Sequence, residues 1–521
     1  MPTQRVVIVG AGIGGLVAAL DLAVQGIDVV VVEKAERPGG KMRELSVGGT
    51  PIDAGPTVFT MRWVFDEILG NAGTSLAEHV TLRPLEVLAR HAWDADARLD
   101  LFADIARSAD AIGDFAGPAD ARGFLAFSAR ARDIYSTLEQ PFLRAPRGGP
   151  LTLARRAGLS GLPALWRIAP FATLMGALGE HFNDPRLRQL FGRYATYCGS
   201  SPFQSPATLM LVAHVEQEGV WAIEGGMYRL AEALVRIAST LGATFRFGNA
   251  VAEVLTDRGR TSGVRLANGE RIRADAVVVN ADVAAVAHGL LGAEIARAVP
   301  KAPIASRSLS AVTWAMSAPT DGFPLARHNV FFGGDYRAEF DAIFRHGRLP
   351  AAPTVYVCAQ DRDVGVGPRR LTSERLLCLV NAPANGDTRD LSPAEIEQCT
   401  ERTFSLLTRC GLTVQRLPEN TVVTTPAVFA RLFPATGGAL YGRASHGWRA
   451  SFQRPGVRTR IPGLYLAGGS THPGPGVPMA ALSGRTAAAS LLADLASTHR
   501  SRPAATRGGT STRFPTTDNT G

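Results

Sequence analysis

Residues 5–43 read RVVIVGAGIGGLVAALDLAVQGIDVVVVEKAERPGGKMR, and the fold follows from them. Residues 5–10 form a short apolar run of strand length. Residues 14–25 place Leu16, Ala19, Leu20 and Ala23 at helical spacing, and Gly26 stands where that helix should end. Val29–Val32 is a second, fully apolar strand, as expected where a parallel sheet is covered on both faces. The unit is strand–helix–strand, and the fold class is α/β.

The turn between the first strand and the helix carries the chemistry. Gly10-Ala11-Gly12-Ile13-Gly14-Gly15 fits GxGxxG. Gly10 permits a tight turn, Gly12 lets the backbone approach a pyrophosphate, and Gly15 lets helix and strand pack closely. Gly14 opens the helix, whose free N–H groups and positive dipole end would face phosphates. A glycine-rich turn alone could be an ordinary loop. Glu33, 23 residues beyond Gly10 and just past the second strand, argues against that reading. A carboxylate there accepts hydrogen bonds from ribose hydroxyls and repels a 2′-phosphate, so the ligand is a dinucleotide other than NADP. Lys34 adjoins it. In the next turn Gly39 and Gly40 stand beside Lys41, and this pair can close over the same pyrophosphate; the competing reading is a β-turn with a surface lysine. The chain then enters another tight polar loop, Asp53-Ala54-Gly55-Pro56-Thr57, where a NAD dehydrogenase would proceed to a further strand and helix.

The whole chain has 521 residues, 46% of them hydrophobic and 19% charged, which excludes a disordered chain, a coiled coil and a collagen-like repeat. Five scattered cysteines with no CxxC pair argue against a disulfide framework and a zinc site, and no metal is expected. The net charge is +9, carried almost wholly by arginine, since Lys34, Lys41 and Lys301 are the three lysines. A basic surface could meet nucleic acid or an anionic membrane. Without aromatic–basic interleaving or a basic run, nucleic acid is not an expected partner.

Further along, residues 151–240 look mostly helical. Thr244–Phe247 and Ala250–Leu255 alternate as strands, and Asn268-Gly269 marks a hairpin turn. Strands are expected near 276–279, 309–315, 354–358, 375–380 and 463–467, and a helix from about Pro478 to Ser497. Residues 161–179 (GLPALWRIAPFATLMGALG) allow two readings: a pair of core helices, or a segment lying in a membrane interface.

These motifs resemble a known family. The loops at 10–15, 39–43 and 53–57 are similar to the FAD-binding pattern of the glutathione-reductase-like flavoproteins, in their amine-oxidase and phytoene-desaturase branch. GLYLAGGSTHPGPGVPM at 463–479 resembles the closing signature of bacterial phytoene-desaturase-type carotenoid desaturases, as do DPRLRQLFGRYATYCGSSPFQSPATLM and GVWAIEGGMYRLAEAL. GPTVFTMRWVFDEIL, with Arg62 where the family more generally has proline, is most similar to the subgroup acting on 1-hydroxylated acyclic carotenoids.

The resemblance implies a Rossmann FAD-binding domain assembled from 1–90, 241–300 and 431–498. It implies an inserted mixed α/β substrate domain at 301–430 and a helical, membrane-associating region at 91–240; the tail at 499–521, rich in Ser, Thr, Gly, Pro and Arg and almost without large apolar residues, reads as disordered from its composition. FAD would be held by Gly10, Gly12, Gly14, Gly15, Glu33, Lys34, Gly40, Lys41, Gly55, Thr57, Gly469 and the backbone of Val251. Val477, Pro478 and Met479 would lie against the flavin ring. The implied reaction is desaturation of an acyclic carotenoid, most specifically 3,4-desaturation of a 1-hydroxy carotenoid such as 1-hydroxyneurosporene, by hydride transfer to flavin N5. Oxygen or a quinone would take the electrons. Alternatives are a phytoene desaturase, a flavin amine oxidase and a non-enzymatic prenyl-binding escort. The implied location is cytoplasmic and peripheral to the inner membrane.

No catalytic residue is legible. His472 is a candidate proton acceptor, or a structural part of its turn. His214 with Glu216 and Glu218 reads as the polar face of a helix, and Cys198 has no evident histidine partner.

Overall fold

The computed structural model describes residues 4–168, 171–362 and 373–500. Five strands form a parallel sheet: β1 (Arg5–Val9), β2 (Asp28–Val32), β3 (Thr244–Arg246), β4 (Ala276–Val279) and β5 (Leu464–Leu466), in the order β5-β4-β1-β2-β3. Alternate aliphatic residues serve its two faces. Val6, Ile8, Val29, Val31 and Val278 pack beneath the helices α1 (Ile13–Val24), α2 (Tyr228–Thr240) and α3 (Val477–Arg500). Val7, Val9, Val32, Val277 and Val279 pack on a three-stranded antiparallel sheet, Val251–Asp257, Arg260–Leu266 and Arg271–Arg273. Burial on both sides is why these strands read as unbroken apolar runs. The Asn268-Gly269 turn stands where expected, with Gly269 at a φ of 90°.

A second, seven-stranded sheet runs in the order Thr421–Thr424, Ser310–Ala318, Glu374–Ala382, Val355–Ala359, His328–Phe331, Val87–Ala92, Arg98–Phe102. Its pairs are antiparallel except that His328–Phe331 lies parallel to Val87–Ala92. Helix Pro393–Arg409 covers it through Cys399, Leu406 and Leu407. A helical layer that includes Ile105–Ala116, Pro118–Leu138, Pro185–Gly192 and Leu211–Gln217 has its own core around Phe127, Phe182 and Phe191.

The structure moves two boundaries of the sequence reading. Val87–Ala92 and Arg98–Phe102 belong to the seven-stranded sheet, although they fall at the 90/91 boundary between the first FAD-binding piece and the helical region. Helix α2, assigned to the helical region, packs against α1 over the parallel sheet. Both depend on partners more than 200 residues away in sequence, which local periodicity does not report. The 161–179 stretch also divides. Leu174 and Leu178 are fully buried, as core helices require, whereas Trp166 is 76% and Phe171 62% exposed. Residues 169–170 of this stretch, and the tail from 501 on, lie outside the described residues. Among the described residues no helix is long and apolar enough to cross a membrane.

One buried carboxylate ties the layers together. Asp53 accepts from the backbone N–H groups of Met227 (2.6 Å) and Tyr228 (3.2 Å), capping α2 from a distant segment. Its own N–H and carbonyl bond the side-chain amide of Gln360, next to the second sheet, at 3.0 and 2.9 Å. Loss of a helix cap costs about 0.5–2 kcal/mol, and a buried donor left unpaired about 1–3 kcal/mol. Asp53→Ala should therefore lower the unfolding free energy by about 2 kcal/mol, read as an earlier midpoint in urea.

Candidate active site

Three loops converge at the carboxyl ends of β1, β4 and β5. Gly10 turns with a φ of 100°. A Cβ on Gly15 would overlap the carbonyl of Gly10, the close helix–strand packing expected of it. A Cβ on Gly12 would lie 2.6 Å from the amide of Asn280, and one on Gly14 2.7 Å from both the Asn280 oxygen and the Gly468 nitrogen. These glycines therefore make room for neighbouring protein as well as for a ligand. Asn280, at the end of β4, was not legible in advance because nothing local marks it.

Glu33 is 8% exposed; its carboxylate accepts from the N–H groups of Ala11 (2.7 Å) and Ala35 (2.9 Å). The second glycine loop docks on the first: Gly39 N–H donates to the Ala11 carbonyl at 2.8 Å. Gly40 has a φ of 59°, and its Cβ would come within 3.3 Å of the Gly12 Cα. Two glycine loops this close, with a buried acid behind them, form a cradle that side chains would fill, and it fits a dinucleotide pyrophosphate. Lys41 is half-buried and donates to the carbonyls of Leu440 (2.7 Å) and Ala439 (3.4 Å); burial lowers its pKa. Lys34 is exposed and reaches the Leu432 carbonyl at 2.6 Å. A Cβ on Gly55 would overlap the Lys41 carbonyl. Val251 opens its hairpin strand opposite Leu266. Arg454 donates to the Tyr441 and Gly469 carbonyls at 3.0 and 3.2 Å, tying down the last glycine loop, and burial lowers its pKa to about 10.

Next to this cradle lies a cavity of about 510 Å³. Gly55, Thr57, Met61 and the first turn of α3, Val477, Pro478 and Met479, line it, as do Leu153, Leu165, Phe171 and Trp448. Leu143, Leu209, Leu211, Val212, Val215, Leu377 and Leu379 supply more of its apolar wall. His472 is absent from this lining. Its Nε2 lies 2.9 Å from the Phe142 carbonyl and 3.0 Å from that of Ala145, so the ring donates there and latches the 142–145 turn to the last loop. Burial lowers its pKa.

Part of the cavity lining is polar. Arg193 and Tyr197 belong to it, and Arg193 Nη1 lies 3.4 Å from the Tyr197 hydroxyl. Tyr197 donates to Glu216 Oε1, and Tyr194 to Oε2 at 2.7 Å. Thr57 Oγ1 is 2.6 Å from the Tyr356 hydroxyl, which is 2.7 Å from His328 Nδ1. Burial, reinforced by Arg327 and Arg193, holds His328 well below its ordinary pKa, so it is neutral. Glu216 was read with His214 and Glu218 as a helical polar face. His214 does lie 3.7 Å from Glu218 along the helix, and it packs on Tyr135 with ring centroids 4.9 Å apart, whereas Glu216 turns inward at 4% exposure. The available signal was the run Arg193–Cys198, where an arginine and two tyrosines three apart sit in an otherwise apolar segment. Cys198 lines the cavity with its pKa raised by burial, which leaves it a thiol.

Behind this wall, Glu339 accepts from Thr354 N–H (3.1 Å), Thr354 O–H (2.7 Å) and Asn381 Nδ2 (3.1 Å), yet burial raises its pKa from 4.5 to about 7. A folded pKa above the unfolded one contributes stability below about pH 4.5 that is lost as pH rises through about 7. Glu339→Gln should flatten the fall in stability between about pH 5 and 8, of order 3 kcal/mol at one pKa unit per 1.36 kcal/mol, measured as urea midpoints across that range.

This constellation of a double glycine loop, an acid after the second strand and a closing glycine loop before the last helix is that of a flavoprotein oxidoreductase. Residues 13–492 match the family described as flavin containing amine oxidoreductase. The chain belongs to that family, in its carotenoid-desaturase branch. It is 57% identical over 517 residues to the hydroxyneurosporene desaturase of Rubrivivax gelatinosus, covering 99% of this chain and 98% of that protein. With the hydroxyneurosporene desaturase of Cereibacter sphaeroides it shares 46% identity over 95% of this chain and 99% of the relative. An oxidoreductase structure from Methanosarcina mazei superposes with a TM-score of 0.57 over 92% of this chain and 99% of the other, at 17% identity, which speaks to the fold. The protein is an FAD-dependent oxidoreductase acting on carbon–carbon bonds.

The cradle makes a testable demand. Gly12→Val forces the Asn280 amide aside and fills the cradle, so the variant should purify without visible flavin absorbance. Glu33→Ala should weaken FAD binding at least tenfold. It should also lower stability by about 1–3 kcal/mol, because it strands the buried Ala11 N–H. Flavin titration and urea denaturation separate the two effects.

Proposed function

We propose that the chain desaturates an acyclic carotenoid bearing a 1-hydroxyl group, introducing the double bond at the 3,4 position. The observation that carries this reading is the mostly apolar cavity lined both by the flavin loops and by the segments that bear Phe171 and Trp448, with Arg193, Tyr197, Thr57 and Tyr356 among its polar groups. The bound flavin supplies the two-electron acceptor. The protein's task is to align a hydrocarbon whose C–H bonds offer little to grip and to exclude water. Leucine and valine walls do this by burial, at about 25 cal/mol per Å² of apolar surface. The cradle holds FAD through Gly10, Gly12, Gly14, Gly15, Gly40 and Glu33, with Lys34 and Lys41 fixing the flanking turns. Val251 lies on the adenine side. Gly55, Thr57, Gly469, Val477, Pro478 and Met479 bound the flavin end. Product chromatography after incubating the FAD-loaded protein with 1-hydroxyneurosporene and with phytoene tests the reading. Dehydrogenation of the hydroxylated carotenoid supports it, and equal rates on the two overturn the substrate while leaving the desaturase.

The segments that bear Phe171 and Trp448 support peripheral membrane contact. Leu151, Trp166 and Phe171 are 88, 76 and 62% exposed. Phe171 packs edge-on to Trp448 at 5.3 Å, and both line the cavity. Exposed Arg147, Arg155, Arg156 and Arg449 lie on the same segments. Aromatic side chains beside arginines suit the interface of an anionic bilayer, where such a substrate dissolves. Trp166→Glu with Phe171→Glu should reduce cosedimentation with anionic vesicles at least tenfold. Salt should release part of the wild-type protein, since the Debye length is about 8 Å at physiological ionic strength. Wild-type protein that stays in the supernatant at low salt would refute the contact.

A further inference from the structure

The polar part of the cavity lining contains a cation with unspent hydrogen bonds. Among the described residues lining the cavity, Arg193 and Arg454 alone carry a charge. Arg454 spends its guanidinium on the carbonyls of Tyr441, Gly469 and Arg443. Arg193 is 8% exposed, and its side chain makes one long hydrogen bond among the described residues, from Nη1 to Tyr197 at 3.4 Å. Its Nε is buried without a partner there. A guanidinium has five N–H donors and accepts nothing. Buried donors without acceptors are costly, and the neighbouring leucines and valines supply none. An oxygen brought in by a ligand would satisfy them.

The groups behind Arg193 narrow what that oxygen is. The Tyr197 hydroxyl receives from Arg193 and donates to Glu216, so the carboxylate balances the guanidinium through a hydroxyl rather than by direct contact. Arg193 and Glu216 together are neutral. An anionic ligand would leave an uncompensated charge in an apolar cavity, which is expensive, whereas a neutral oxygen acceptor brings none. The position fits as well. Arg193 is near enough to His328 to help depress its pKa, His328 Nδ1 lies 2.7 Å from the hydroxyl of Tyr356 on the second sheet, and Tyr356 meets Thr57 of the flavin-side loop at 2.6 Å, Tyr356 and Thr57 both lining the same cavity. A 1-hydroxyl group is only a few bonds from carbons 3 and 4, so its partner belongs on that side.

We propose that Arg193, held by Tyr197 and Glu216, donates to the end-group oxygen of the carotenoid and sets a preference for hydroxylated over hydrocarbon ends. This rests on the proposed function and names the specificity residue of that site. Discrimination of this kind is strong because the parent hydrocarbon leaves the donors unsatisfied.

The test compares kcat/KM for a 1-hydroxy carotenoid and its unhydroxylated parent in flavin-loaded wild type, Arg193→Met and Tyr197→Phe. Wild type should prefer the hydroxylated carotenoid at least tenfold. Arg193→Met should lose that preference, chiefly through a raised KM for the hydroxylated carotenoid. Tyr197→Phe, which keeps the ring, should lose part of it. Flavin content and the urea midpoint report folding, and Arg193→Lys, which keeps one donor and the charge, replaces Arg193→Met if that variant fails to fold and should lose most of the preference. Variants that hold full flavin and keep the wild-type preference overturn the assignment. Wild type that desaturates both carotenoids at equal rates overturns the subsite but leaves the desaturase. Wild type that desaturates neither overturns the proposed function itself.

Discussion

The buried carboxylate of Asp53 is the constraint on which the site depends. It caps α2 on the parallel sheet, while its peptide group pairs with Gln360 beside the second sheet. Desolvation raises its pKa, and the Met227 and Tyr228 N–H groups oppose that rise. The loop that follows, Gly55 to Thr57, is thereby fixed relative to both layers. Thr57 can then meet Tyr356 of the second sheet, and the cavity acquires a wall from each layer. A Cβ on Gly226 would strike this carboxylate at 2.5 Å, which explains the glycine pair just before α2.

Two kinds of wall meet in the cavity. The apolar wall grips a hydrocarbon without direction, since burial has no preferred angle. The polar groups supply direction, because hydrogen bonds fall away steeply with angle. The last glycine loop joins the two. Arg454 fastens its carbonyl at Gly469, and His472 fastens its far side to the turn after residue 142, so the first turn of α3 is presented to the cavity as a rigid edge. His472 thus acts at a distance from the cavity, through the position of the loop.

Much of the dinucleotide cradle was legible from residues 5–43, because its parts are contiguous and their spacing is set by strand and helix geometry. The second sheet was legible as separate strands but not as a sheet. Val87–Ala92 finds its parallel neighbour at His328–Phe331, and no local pattern encodes such pairing. Glu216 was misread for a related reason. Its spacing from His214 and Glu218 describes a helix, but which side of that helix faces solvent depends on Tyr194 and Tyr197 arriving from another segment.

The sequence by itself determined the strand–helix–strand unit, the dinucleotide, and through its motifs the family. These are local properties, fixed by which residues tolerate a tight turn, a close backbone approach or burial on both faces. Only the tertiary structure decided which polar groups would be left facing an apolar cavity. Arg193, Glu216, Tyr356 and Thr57 come from four separate stretches of chain, and nothing in any one stretch states that its side chain will be desolvated. Burial is a property of the assembled fold. It is burial that turns an ordinary arginine into a donor with more N–H groups than acceptors, and so into a candidate for recognition.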